Sequence, residues 1–330
     1  MRYSVIVPVF NRPDEVDELL SSLEACPEND FEVLIVEDGS TLPCRDVAER
    51  HSGKLDIKYL AKENSGPGQS RNFGAARASG DYLLILDSDV TVPQNWFSAI
   101  SAELDANPCD AFGGPDRSHP SFTPVQKAIS YSMTSFFTTG GIRGSKASLD
   151  KFYPRSYNMG IRREVFEALG GFSEMRFGED IDLSIRIFEA GYSCRLFPEA
   201  WVWHKRRTDL RKFFRQVFNS GIARINLQKR HPGSLKAVHV LPAAFTVGCA
   251  LLILGSPFFP WLPSLIALYA LLVLLDSAFS NDGSIQIGIL SVAAAFVQLI
   301  GYGSGFLYAW WRRCVLGEGE FEAFRKNFYK

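Results

Sequence analysis

The chain has 330 residues, 46% of them hydrophobic and 22% charged, with a formal net charge of -1. That length holds one well-buried domain of about 200 residues with room for a second element, while the near-neutral charge lacks the basic excess that binds nucleic acid. Six cysteines at 26, 44, 109, 194, 249 and 314 form no CxxC pair, which argues against a disulfide-stapled secreted framework and for reduced, structural thiols.

Met1-Arg-Tyr-Ser-Val-Ile-Val-Pro leads straight into a strand pattern, so no signal peptide is expected and the N-terminal domain should stay on the side where it is made. Strands are predicted at Tyr3 to Val9, Phe31 to Val36, Asp56 to Leu60, Tyr82 to Leu86 and Asp110 to Gly113. Helices are predicted between them at Pro13 to Ala25, Cys44 to His51, Pro67 to Ala78 and Gln94 to Ala106. Repeated β-α-β units make an α/β, mostly parallel sheet with helices on both faces. In such sheets ligands bind outside the carboxyl ends of the strands. Three polar clusters fall at those ends: Pro8-Val-Phe-Asn-Arg12, Glu37-Asp-Gly-Ser40 and Asp87-Ser-Asp89.

The last cluster closes an apolar run, and side chains two apart on a strand share a face, so Asp87 and Asp89 aim two hard oxygen ligands at one spot. That chemistry suits Mg2+ or Mn2+ together with phosphate oxygens. An Asx turn uses the same residues. Further along, Glu179, Asp180 and Asp182 open a helix, where carboxylates are also favoured electrostatically.

From residue 205 the character changes. Ten Lys or Arg residues and one acid, Asp209, lie between His204 and Ala237, a juxtamembrane excess that reads as cytoplasmic and attracted to anionic lipid. Leu210, Phe213, Phe214, Val217, Phe218, Ile222 and Ile225 recur at helical spacing, which predicts a basic amphipathic helix in a membrane interface or packed on the catalytic domain. Three apolar blocks follow, Val238 to Phe259, Leu262 to Leu275 and Ile285 to Trp311. The outer two are long enough to span hydrocarbon, and the middle one is short enough to be re-entrant or half of a hairpin. Arg312, Arg313, Arg325 and Lys326 place the C-terminus inside. The domains expected are therefore 1–207, a catalytic α/β domain; 208–236, the interfacial helix; 237–311, two or three membrane segments; and 312–330, a basic cytoplasmic tail.

Ser4-Val-Ile-Val-Pro-Val-Phe-Asn11, Val33-Leu-Ile-Val-Glu-Asp-Gly-Ser40, Gly66 to Asn72 with Arg71, Leu86-Asp-Ser-Asp89 and Gly178-Glu-Asp-Ile-Asp-Leu183 together resemble the family 2 glycosyltransferases with the GT-A fold. The resemblance runs from Ser4 to about Lys205. It implies an inverting enzyme, membrane-anchored here, that uses a nucleotide-diphosphate sugar, typically a UDP-sugar, and a divalent cation. It implies that Pro8, Val9 and Asn11 wrap the nucleobase, that Asp38 reads it, and that Ser88 lies among the nucleotide contacts. Arg71, at a helix N-terminus that itself favours anions, carries a fork suited to a diphosphate or ribose edge. By resemblance Asp87 approaches the ribose and metal waters, Asp89 ligates the metal, and His204 is a further ligand. An inverting transfer needs one carboxylate to take the acceptor's proton, and the family's Glu-Asp pair matches Glu179 and Asp180, with Asp180 the base and Glu179 placing the acceptor. Asn158 is a candidate sugar or phosphate contact, and the Gly- and Ser-rich segment from Thr134 to Lys151 is expected to order around substrate.

The basic and apolar C-terminal part, at a cytoplasmic membrane, suits a lipid-linked glycan or polyprenyl phosphate acceptor. Two rivals remain: a non-catalytic nucleotide-sugar-binding membrane scaffold, which needs no metal pair and base together, and a processive polysaccharide synthase, for which Arg215-Gln-Val-Phe-Asn219 lacks the expected Gln-x-x-Arg-Trp pattern.

Overall fold

The computed structural model of the chain describes residues 3–28, 30–119, 121–139, 152–175 and 177–320. Its elements in chain order are β1 (Tyr3–Val9), α1 (Pro13–Glu24), β2 (Phe31–Asp38), α2 (Arg45–His51), β3 (Asp56–Lys62), α3 (Pro67–Ala75), β4 (Tyr82–Leu86), β5 (Val90–Thr91), α4 (Trp96–Ala106), β6 (Ala111–Gly113), β7 (Asp116–Arg117), α5 (Pro124–Thr134), α6 (Phe136–Thr139), β8 (Asn158–Arg162), α7 (Arg163–Ala168), α8 (Glu179–Glu189), β9 (Cys194–Leu196), β10 (Val202–His204), α9 (Leu210–Arg230), α10 (Ala237–Gly255), α11 (Pro263–Ser280) and α12 (Ile285–Trp310). Among the described residues, 3–119 and 152–205 form one compact unit, and 121–139 and 206–320 form another.

The first unit is built on a seven-stranded sheet in the order β3-β2-β1-β4-β8-β6-β9, beside a three-stranded sheet ordered β5-β10-β7. The strands β3, β2, β1 and β4 run parallel, and β8 pairs antiparallel with both β4 and β6. Every residue of β1 and β2 is buried, as their near-continuous Val, Ile and Leu demand of strands covered on both faces. Two registers matter for chemistry. Leu86 at the end of β4 pairs with Asn158 at the start of β8, and His204 of β10 pairs with Val90 of β5, so a residue more than a hundred positions away is zipped beside the Asp87-Ser-Asp89 turn.

The second unit is helical. Phe213 and Val217 of α9 are buried with Ala128, Ile129 and Met133 of α5 and Ala294 of α12. The crossing of α9 and α12 depends on small residues: a Cβ at Gly305 would stand 2.0 Å from the Phe218 carbonyl oxygen, and one at Gly221 would stand 2.1 Å from that of Tyr302. With Gly301 and Gly305 one turn apart the backbones approach as small-xxx-small pairs allow in apolar surroundings. Helices α10, α11 and α12, the last continued by a π-helical turn to Val315, are each long and apolar enough to cross a membrane. Large apolar side chains such as Leu254 and Phe279 lie exposed on α10 and α11, at 71% and 84%, far more than a water-facing surface tolerates in contiguous patches.

Several expectations shift. The middle apolar block is an 18-residue helix, longer than its unbroken apolar run, because Asp276, which interrupts the run, accepts a hydrogen bond from Tyr131 at 2.5 Å and the helix continues through it. The apolar face of α9 is covered by α5 and α12 within its own unit, leaving Arg211, Lys212 and Arg215 exposed. Helix α3 stops three residues earlier than predicted, and β2 and β3 each run two residues further. Arg176, Arg325, Lys326 and the 140–151 part of the Gly- and Ser-rich segment lie outside the described residues.

Candidate active site

The apolar run of β4 ends at Leu86, and the chain turns through Asp87, Ser88 and Asp89 into β5. Ser88 is buried. The Lys205 amide donates to the Asp89 carbonyl at 3.0 Å, which fixes the β10 end against this turn. As a result His204 Nε2 lies 3.3 Å from Asp89 Oδ1, while its Nδ1 faces Asp116 Oδ2 at 3.8 Å. Tyr157 packs against the His204 ring with centroids 4.9 Å apart and donates its hydroxyl to Asp116 Oδ1 at 3.2 Å. Arg12 Nη1 donates to Asp89 Oδ2 at 2.6 Å. Burial alone would raise the Asp89 carboxyl, but the His204 ring and the Arg12 guanidinium hold it far below the usual range.

Asp87, Asp89 and His204 each offer a ligand atom, and all of these lie within 4.8 Å of one another. Two carboxylates and one imidazole fit a hard divalent cation of the Mn2+ or Mg2+ kind. An outer carboxylate facing the distal nitrogen, as Asp116 does, is the usual way a ligating histidine is oriented.

Arg71 ties this group to the start of α8. It is 3% exposed, donating Nη2 to Asp87 Oδ1 at 2.7 Å and Nη1 to Glu179 Oε1 at 2.8 Å. The fork expected to meet a diphosphate or ribose is thus engaged by two carboxylates. Glu179 is buried, and burial pushes its carboxyl up to about 7, with Arg71 pulling down and neighbouring Asp180 pushing up. Asp180 keeps some exposure, and its Oδ2 lies 3.6 Å from Arg155 Nη1. Adjacent acids therefore have different partners: Glu179 is tied to Arg71, whereas Asp180 accepts the Ile181 amide at 2.8 Å and stands beside Arg155.

At the ends of the first two strands, Pro8 and Val9 close β1 in register with Val36 and Glu37 of β2. Asn11 takes a positive φ of 53°, a conformation Asn tolerates better than most residues. It is secured there because its Oδ1 accepts the Thr41 and Leu42 amides at 2.8 Å each and its amide donates to Ser40 Oγ at 2.8 Å. Asp38 is fully buried, accepting the Ser65 amide at 2.9 Å, the Gly66 amide at 2.8 Å and the Lys62 ammonium. Asn158 is also buried and donates Nδ2 to the Ala200 carbonyl at 2.7 Å. That contact requires a glycine opposite: a Cβ at Gly114 would lie 1.7 Å from the same oxygen.

The structure thus brings Asp87, Asp89, His204, Arg71, Glu179 and Asp180 into one connected group, and holds Asp38, Asn11 and Asn158 through main-chain contacts. Sequence reasoning placed Arg12 in a strand-end cluster without giving it a role, and missed Asp116, Arg155 and Tyr157. Tyr157 and Arg12 sit beside residues already singled out, whereas nothing local marks Asp116.

Comparison with known proteins places the chain. A mannosyltransferase from Pyrobaculum calidifontis in complex with GDP-Man and Mn2+ superposes with a TM-score of 0.64 at 18% identity, over 89% of this chain and 86% of that one. Part of S. aureus TarS in complex with UDP gives a TM-score of 0.51 at 18% identity, over 97% and 93% of the two chains. The fold is GT-A, a Rossmann-like mostly parallel sheet followed here by C-terminal apolar helices. In sequence, a pre-mycofactocin glycosyltransferase of Mycobacterium tuberculosis is 30% identical over 247 residues, 69% of this chain and 48% of the relative; the chain spans about half the length of this curated relative. Glycosyl transferase family 2 matches residues 4–170, more than half of the chain, and the chain belongs to that family.

Proposed function

We propose that this chain is an inverting glycosyltransferase that moves a sugar from a nucleotide-diphosphate donor, a UDP-sugar before others, to a hydroxyl or phosphate acceptor carried on a lipid-linked glycan or polyprenyl phosphate. The observation that carries the reading is the Arg71 bridge: it joins the Asp87-Asp89-His204 group to the Glu179-Asp180 pair within one unit. Leaving-group stabilisation and proton removal are the two demands of such a transfer, and the two halves of the bridge answer them separately.

Asp87, Asp89 and His204 would hold a divalent cation, which when bound supplies Lewis-acid neutralisation of the departing diphosphate. Asp180 takes the proton of the acceptor hydroxyl as its oxygen attacks the anomeric carbon opposite the breaking bond to the diphosphate. Its partial exposure and the 3.6 Å separation of its Oδ2 from Arg155 support that role, in contrast to Glu179, which Arg71 immobilises and which thereby sets the position of its neighbour. Arg155, beside Asp180, suits an acceptor or donor anion. Pro8, Val9, Asn11 and Asp38 form the nucleobase side. The apolar helices and the exposed basic residues of α9 support residence at a membrane, with the catalytic unit on the cytoplasmic side.

Nucleotide release by the full-length protein in lipid, over a panel of UDP-, GDP- and dTDP-sugars with Mn2+, Mg2+ or chelator, tests this reading. Release from one donor, dependent on cation and lipid extract, is the expected result. Asp180→Asn should then lose at least about a hundredfold in transfer with donor binding retained; transfer at the wild-type rate would remove Asp180 as base.

A further inference from the structure

Arg12 lies outside the set of residues that the chemistry above requires, yet it makes a close ion pair with the central metal-site carboxylate. Its Nη1 lies 2.6 Å from Asp89 Oδ2, while His204 approaches the other oxygen, so both oxygens of Asp89 face cationic or cation-forming groups. The guanidinium is not placed there by a loose loop. Arg12 sits between Asn11, fixed at positive φ by three hydrogen bonds to residues 40–42, and Pro13, whose ring starts α1. Main chain on both sides is committed, and the side chain is directed at Asp89. A third of the side chain remains exposed, so it can leave its partner without dismantling a core.

A carboxylate oxygen that accepts a short charge-assisted bond cannot at the same time give its full charge to a cation. We propose that Arg12 is the resident counter-ion of the metal site: it holds Asp89 ready in the cation-free chain, competes with the divalent ion for that carboxylate, and so sets how tightly the ion binds. This rests on the reading of Asp87, Asp89 and His204 as metal ligands. Arg12 is then a positioning residue that lowers cation affinity in the absence of donor, which favours loading of cation and nucleotide together over capture of the cation alone.

The test is Mn2+ binding to the full-length protein in detergent micelles without nucleotide, followed through the electron paramagnetic resonance signal of free Mn2+. Replacing a charge-assisted hydrogen bond has the size of about a ten- to hundredfold change in an equilibrium, and R12Q should bind Mn2+ tighter by at least about tenfold. R12K, which keeps charge without the fork, should fall between R12Q and wild type, and D89N should bind none. R12Q binding with wild-type or weaker affinity, in protein with unchanged circular dichroism, would overturn the inference while leaving the metal site in place. Failure of both wild type and R12Q to bind Mn2+, even with UDP or GDP added, would instead remove the metal site itself and this inference with it.

Discussion

Arg71 is the residue on which the site's two halves depend, and its removal has a calculable cost. The side chain is 3% exposed and places one nitrogen 2.7 Å from Asp87 and another 2.8 Å from Glu179. Arg71→Ala leaves the buried Glu179 carboxyl without its partner, so that it carries an unpaired charge or, being already raised to about 7 with Arg71 present, takes up a proton; breaking a buried pair from one side costs up to about 3–5 kcal/mol. For a unit of this size that corresponds to a fall in melting temperature of about 10 °C. Glu179→Gln removes the charge together with its burial penalty, so alone it should be within about 1 kcal/mol of wild type. The double variant should recover about 2 kcal/mol of what Arg71→Ala loses, since no ionisable group is then left unpaired at position 179. Thermal unfolding in detergent, with hydrogen exchange of β4 peptides to report the catalytic unit specifically, measures all four corners of the cycle. Single and double changes that add within about 0.5 kcal/mol would refute the coupling, and with it the claim that Arg71 joins the metal-side carboxylates to the base-side pair.

Two further outcomes are expected. Gly305→Ala drives a methyl to 2.0 Å from the Phe218 carbonyl and should destabilise the helical unit by about 1–3 kcal/mol, whereas Gly248→Ala in α10, which meets nothing within 4 Å, should be neutral or slightly stabilising in the same melting assay. Burial would raise the Glu32 carboxyl, but Lys58, Ser4 and Ser79 bring it down from 4.5 to about 2. Its stabilisation is therefore complete above pH 4.5 and disappears as pH falls towards 2, about 3 kcal/mol in all. In Glu32→Gln, acid unfolding curves should lose that much of their slope between pH 4.5 and 2, and an unchanged slope would show that other carboxylates carry the acid transition.

Much of the catalytic unit was legible in the chain. Strands β1 and β4 begin and end where their β-branched and Leu-rich runs do, because strands buried on both faces are almost wholly apolar, with Ser4 of β1 the polar exception, paired to Glu32. The pairs Asp87-Asp89 and Glu179-Asp180 were legible for a related reason: each closes or opens a regular element, and an acid at such a boundary is visible against its apolar neighbour. Strands β5, β7 and β10, of two or three residues, carry too few positions for any period to register. The membership of residues 121–139 in the helical unit is equally invisible locally, since the contacts that decide it come from α9 and α12. Asp276 shows the opposite failure. A charge inside an apolar run reads as a stop, yet the helix runs on through Asp276, which accepts a hydrogen bond from Tyr131, 145 positions away.

The roles of Arg12 and Asp116 escaped the sequence for one physical reason, and it bears on how the site works. Each acts on a residue that the sequence does reveal, Arg12 on Asp89 and Asp116 on His204, from 77 and 88 positions away. Sequence patterns register the groups that must have a given chemistry at a given spacing. They do not register the groups that tune that chemistry, because any segment that folds past the site can supply a guanidinium or a carboxylate. On the proposed reading, cation binding at Asp89 depends on those tuning charges as well as on the ligands themselves. Two chains with the same Asp87-Ser-Asp89 turn and different residues at positions 12 and 116 should therefore share a reaction and differ in cation affinity, which makes the exchange of those two positions, with the turn left intact, the sharpest separation of chemistry from its control.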